Sequence, residues 1–161
     1  MKYLFILLSV ALLSACTDTN SQSESSQHDI KNSTDNAYLE YKEPVKRWYS
    51  SADVLMGQKV FTANCAVCHG EKAQGLVKDW KQTLDNGKYP APPLNGSAHA
   101  WHHPLKILNR TIVHGGIPLG GTMPGFKDKL SQEERLQAIA YFQNFWPDEI
   151  YQAWLNRGGL K

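Results

Sequence analysis

Cys65-Ala66-Val67-Cys68-His69 decides how this chain is read. Two thiols stand three positions apart, and an imidazole follows directly. Three chemistries compete for the pattern. The thiols could shuttle electrons as a dithiol, they could hold zinc, or they could be consumed by covalent attachment of a haem with His69 as an iron ligand. The rest of the chain has to choose among them.

A dithiol needs a strand–helix setting in which the first thiol sits at a helix N-terminus and its pKa falls. Here the pair follows a helical stretch, and no βαβ pattern surrounds it. Zinc could take Cys65 and Cys68 with His99 and His103, a Cys₂His₂ donor set. However, thirty residues separate Cys68 from His99, where a finger spacing wants about 12–15, and His69 would go unused. Haem attachment uses all three residues. Each thiol adds across one vinyl group, two intervening residues set the thiol separation, and the next His is carried under the iron.

Working outward, the 161 residues carry a formal charge of +2, too small to argue for nucleic acid or an anionic membrane surface. The chain opens Met1-Lys2-Tyr3 and then runs apolar from Leu4 to Leu13. A short basic start and a short apolar run read as a secretory signal. The run is too short to span a bilayer, which takes roughly 20 apolar residues. It ends in Leu13-Ser14-Ala15-Cys16, which resembles the lipobox of bacterial lipoproteins. That resemblance implies a signal peptide over 1–15 and lipidation of Cys16, a stable anchor without a spanning helix. It leaves Cys65 and Cys68 as the other thiols. The implied location is the periplasmic side of a Gram-negative membrane. By resemblance to enterobacterial lipoprotein sorting, Thr17 rather than Asp after Cys16 leans toward the outer membrane.

Residues 17–37 are dominated by Ser, Asn, Gln, Thr and Asp, and Ile30 is their one strong hydrophobe. Such a stretch cannot offset its ordering entropy by burial. It reads as a tether reaching roughly 25 Å on average, with His28 a solvated residue within it. Tyr38, Tyr41, Trp48 and Tyr49 suggest an aromatic arm, so 16–49 is expected as tether and arm and 50–161 as the folded domain.

Within that domain the pattern predicts helices and no alternating strand. Ser50 with Asp53 caps a first helix running toward Asn64, with Tyr49 packing on Val54. Met56 on this helix is expected in the core. A second helix spans Pro104–His114 and is stopped by Gly115-Gly116. Ser131 with Glu134 opens a third, expected to run to Trp146 with Pro147 ending it. A short last helix covers Asp148–Asn156. The fold class is therefore all-α, three to five helices joined by Gly/Pro-rich loops.

These residues together resemble a class I c-type cytochrome. Gly57-x-x-x-Phe61-x-x-x-Cys65-Ala-Val-Cys68-His69-Gly70 is similar to that family's N-terminal helix and haem motif. Ala91-Pro92-Pro93-Leu94 resembles its proximal loop, with Ala91 where the family often has Gly, and implies that the Pro92 carbonyl receives the His69 N–H. Met123-Pro124-Gly125-Phe126 resembles the loop that supplies an axial Met. Leu130-Ser131-x-x-Glu134 and Ala140-Tyr141-Phe142 resemble the C-terminal helix. The resemblance covers about residues 50–147. It implies one covalent haem c bound by Cys65 and Cys68, with iron held by His69 and Met123. A thioether raises the potential and closes the iron, so the expected role is electron transfer between two redox proteins rather than catalysis. The alternatives are a haem subunit of a larger oxidoreductase, or gas or peroxide chemistry if Met123 is not a ligand.

Other residues carry weaker signals. His114 reads as a helix C-terminal histidine. His99, His102 and His103 read as a solvated polar loop, with copper binding or a propionate contact, also open to Trp101, as alternatives. Most of Trp48, Trp80, Trp101, Trp146 and Trp154 are expected in the core or against the haem. Lys72, Lys78, Lys81, Lys88, Lys127 and Lys129 form either a solvated face or a ring that steers an acidic partner.

Overall fold

The first helix is set at both ends by local chemistry. Ser50 accepts from the Asp53 N–H while the Asp53 carboxylate takes the Ser50 N–H at 2.8 Å, a closed capping box. The Ser50 hydroxyl, donating to the same carboxylate at 2.7 Å, together with the Ser50 N–H holds the Asp53 carboxyl below its ordinary range. The computed structural model describes residues 44–161, and the lipobox, His28, Tyr38 and Tyr41 lie outside them. Among the described residues there are five α-helices and no strand: α1 Ser51–Asn64, α2 Ala66–His69, α3 Leu105–His114, α4 Gln132–Gln143 and α5 Asp148–Asn156. Two short 3₁₀ turns occupy His99–His102 and Ile117–Leu119. No helix among the described residues is long and apolar enough to cross a membrane.

The frame is the crossing of α1 on α4. Gly57 and Phe61 are the buried residues of α1, one turn apart on a face that Val54 extends. A Cβ built at Gly57 would lie 1.9 Å from the Gln137 carbonyl oxygen and 3.1 Å from the Tyr141 Cβ. The two backbones thus meet where only glycine fits. Phe61 packs on Tyr141 with ring centroids 5.2 Å apart. Met56 is not in the core. It is 45% exposed, because one residue before Gly57 on a helix lies about 100° round from the buried stripe.

Helix α4 opens with a second capping box, Ser131 with Glu134. It ends at Gln143, three residues before the Trp146 expected from sequence. Phe145 and Trp146 donate to carbonyls three residues back, Phe142 and Gln143, so the last turn tightens and leaves the α-path. That departure turns Trp146 inward. It is buried, and its Nε1 donates to the Leu94 carbonyl at 2.7 Å. Pro147 then caps α5.

The α5 helix fastens both edges of the domain. Tyr151 and Trp154 are buried on one side of it. The Tyr151 hydroxyl accepts the Trp48 N–H at 3.0 Å, and the Arg47 guanidinium lies 4.1 Å over the Tyr151 ring and pairs with Asp148. Trp48 Nε1 donates to the fully buried Gln143 side chain at 2.7 Å. On the other edge Trp154 Nε1 donates to the His103 carbonyl at 2.8 Å. Gly159 lies flat against the Trp154 ring, where a Cβ would come within 2.2 Å.

Candidate haem site

Cys65 caps the end of α1, and one turn of helix, α2, carries Cys68 and His69. The Cys68 and His69 N–H groups both donate to the Cys65 carbonyl, at 3.1 and 2.9 Å. The two thiols and the imidazole are therefore fixed on a single turn. Gly70 leaves that turn with φ of 74°, a conformation that favours glycine.

His69 is buried at 8% exposure. Its Nδ1 lies 2.9 Å from the Pro92 carbonyl oxygen. A carbonyl can only accept, so Nδ1 carries the proton and Nε2 is the bare nitrogen of the neutral ring. Desolvation lowers the imidazole pKa, against a smaller opposing contribution from the Pro92 bond. The ring is thus kept neutral and aimed, the condition of a metal-ligating histidine.

The segment that carries Pro92 is itself held. The Leu94 and Asn95 N–H groups both donate to the Ala73 carbonyl, at 2.7 and 3.1 Å. Ala73 is fully buried with φ of 56°, in the left-handed region, which is unusual for a residue with a Cβ. The Tyr141 hydroxyl donates to the Glu71 carbonyl at 2.8 Å. The loop after the thiols is therefore bound to α4 on one side and to the proline segment on the other.

Met123 is half-buried against the core. Its loop is seated on the end of α3. Phe126 and Lys127 donate to the Ile112 and Val113 carbonyls at 2.9 and 3.2 Å, and Gly116 donates to the Met123 carbonyl at 2.9 Å. The first two satisfy carbonyls that the end of α3 leaves free. The fit needs Gly115, where a Cβ would come within 2.4 Å of the Met123 carbonyl oxygen. From sequence Gly115-Gly116 reads only as a helix stop. The seat for the Met123 loop is its second role, and the glycine pair recurring at Gly120-Gly121 is the one sequence signal that could have pointed to a close crossing.

The thiols do not suit the rival chemistries. Burial, with the Cys68 thiol beside it, pushes the Cys65 thiol up to about 11, opposite to the activation a dithiol reductant requires. Among the described residues no group of three or more His, Cys, Asp or Glu gathers around a possible metal position, so the Cys₂His₂ arrangement is not assembled. A covalent haem fits better. The candidate donors are the neutral His69 imidazole and, from a separate loop, the half-buried Met123 thioether. Leu76, Val77, Tyr89, Ile117 and Leu119, from the loops bracketing Pro92 and Met123, are exposed apolar side chains of the kind a flat apolar macrocycle covers. Bound there, a haem c would supply a one-electron iron couple.

The model of the family described as cytochrome C oxidase, cbb3-type, subunit III matches residues 52–142, more than half of the chain. The chain is a c-type cytochrome of this family. It is 34% identical over 93 residues to the cbb3-type cytochrome c oxidase subunit CcoP of Rhodobacter capsulatus, covering 53% of this chain and 27% of that protein. Against subunit FixP of Sinorhizobium medicae it is 33% identical over 94 residues, 55% of this chain and 28% of the relative. Against cytochrome c6 of Anabaena variabilis it is 31% identical over 91 residues, 56% of this chain and 88% of the relative. The cytochrome thus spans about a quarter of the two oxidase subunits but nearly all of the cytochrome c6. No solved structure matches it. The remaining residues of the cytochrome take varied places. Trp146 and Trp154 are buried, while Trp48 and Trp101 are partly buried against the core. His114 is the last residue of α3. Lys72, Lys78, Lys81, Lys88, Lys127 and Lys129 are all exposed, and Lys88 Nζ reaches the Gly120 carbonyl at 3.4 Å, beside the Met123 loop.

Proposed function

We propose that this cytochrome is a single-electron carrier. In this reading Cys65 and Cys68 bind one haem c and His69 and Met123 are its axial ligands. The observation that carries the reading is the 2.9 Å contact between His69 Nδ1 and the Pro92 carbonyl. It leaves a neutral, oriented Nε2 one residue from a thiol pair. The protein's part is then to hold both donors still. The Pro92 bond fixes the imidazole plane, and the glycine-lined seat on α3 fixes the Met123 loop, so little rearrangement accompanies a change of charge on the iron. Two protein ligands leave no position for a substrate, which favours transfer over catalysis. The anchor belongs to the same proposal. Lipid on Cys16 would hold the domain on the periplasmic face, and the tether would let it move between a donor and an acceptor.

Carbon monoxide tests the closed iron. The dithionite-reduced, haem-loaded protein is expected to show no spectral change under the gas at neutral pH. A prompt shift of its main absorption band would mean an open sixth position and would move the function toward gas or peroxide chemistry. The anchor is tested by fractionation. Replacing residues 1–16 with the cleavable signal of a secreted protein should move the protein from the membrane pellet to the soluble extract, and retention in the pellet would mean that lipid on Cys16 is not what holds it there. A second reading, a haem subunit of a larger oxidoreductase, is favoured by the similarity to CcoP and FixP. A stoichiometric partner copurifying from membranes would select it.

A further inference from the structure

Two imidazoles outside the haem site stand together. His99 and His103 lie with ring centroids 5.7 Å apart, edge to face. They flank the 3₁₀ turn His99–His102, and both are exposed. The turn is not a loose surface loop. Ala98 and Ala100 within and beside it are buried. The His103 N–H closes on the Ala100 carbonyl at 3.1 Å, and Leu105 donates to the Gly159 carbonyl at 2.7 Å. The His103 carbonyl takes the Trp154 indole N–H. On its other side the His99 ring lies 5.4 Å from that of Trp80. The turn that carries the pair is therefore held through its backbone, while both histidines stay exposed.

We propose that His99 and His103 form a two-imidazole site for a divalent first-row transition ion, copper(II) before zinc. For metal–nitrogen bonds of about 2.0–2.1 Å, two imidazoles on one ion have centroids roughly 5 Å apart. The observed 5.7 Å separation is close to this. Imidazole suits copper, nickel and zinc, and copper(II) stands highest in the affinity order. His102 is turned to Trp101, its ring centroid 4.0 Å from the indole, and is not counted as a ligand. With no third side chain converging, water completes the coordination, and the affinity expected is about micromolar. The site borders a surface hollow of about 360 Å³ lined by Trp80, Lys81, Tyr89, Pro90, Pro92 and His99. It thus adjoins the segment whose carbonyl holds His69.

The test is a calorimetric titration of the haem-loaded protein with copper(II), paired with electron paramagnetic resonance. One copper per chain beyond the haem iron is expected, with nitrogen hyperfine structure from imidazole. His99→Ala and His103→Ala should each weaken binding about tenfold or more, with the haem spectrum unchanged as the control for folding. His114→Ala and His28→Ala should leave the affinity as it was. Undiminished binding in the His99→Ala/His103→Ala double variant would overturn the proposal. So would loss of the signal in His28→Ala, or absence of any copper binding at about 100 µM.

Discussion

Gly57→Ala is expected to lower the stability of the folded domain by about 2 kcal/mol or more. On an isolated helix the change would gain about 1 kcal/mol, because glycine is the poorer helix former. Here the new Cβ would fall 1.9 Å from the Gln137 carbonyl oxygen. The neighbour is backbone, not the tip of a flexible side chain, so α1 and α4 must move apart. Overpacking of this kind costs about 1–3 kcal/mol and sometimes more. Separation of the helices would also loosen Phe61 against Tyr141, and through Tyr141 the loop at Glu71 that follows the thiols. A urea titration of the haem-loaded protein checks this. The midpoint should fall well below wild type, while Gln58→Ala, at an exposed position one residue on, should leave it almost unchanged. Equal midpoints for the two variants would show that the crossing is not tight.

Met123→Ala should leave the fold intact and change the iron. Met123 is only half-buried, and the bonds that seat its loop are made by backbone groups of Gly116, Phe126 and Lys127, so the loop survives loss of the side chain. The expected spectral result is disappearance of the weak red-edge band of ferric iron–thioether ligation. The reduction potential should fall as well. A thioether that prefers ferrous over ferric iron a hundredfold contributes about 120 mV at about 59 mV per decade for one electron. Spectroelectrochemistry of the two proteins reads both quantities. A variant that keeps the band and the potential would remove Met123 from the iron and reopen the choice of sixth ligand.

Much of this arrangement was legible in the residues. The thiol–imidazole run announces itself because its spacing is dictated by bonds rather than by packing. The capping boxes at Ser50 and Ser131 are equally local, and both form. Legibility failed where distant segments decide. Met56 and Gly57 are adjacent, and periodicity alone did not say which of them faces α4; the Gln137 backbone does. The third expected helix stops short at Gln143 because Trp146 must turn toward the Leu94 carbonyl, a partner 52 positions away. Gly115-Gly116 looked like punctuation, yet its conformation is demanded by the Met123 loop lying across it. The histidines near Trp101 resolved into a facing pair and a third ring turned away, which no spacing rule distinguishes.

The measurement that tests the central claim most directly is the intact mass of the protein, produced with haem maturation factors and denatured in acid before analysis. A mass raised by one haem, retained through denaturation and lost in Cys65→Ser/Cys68→Ser, is the result predicted. A chain of apo mass under conditions that load a control cytochrome would contradict the account and return Cys65 and Cys68 to thiol or metal chemistry.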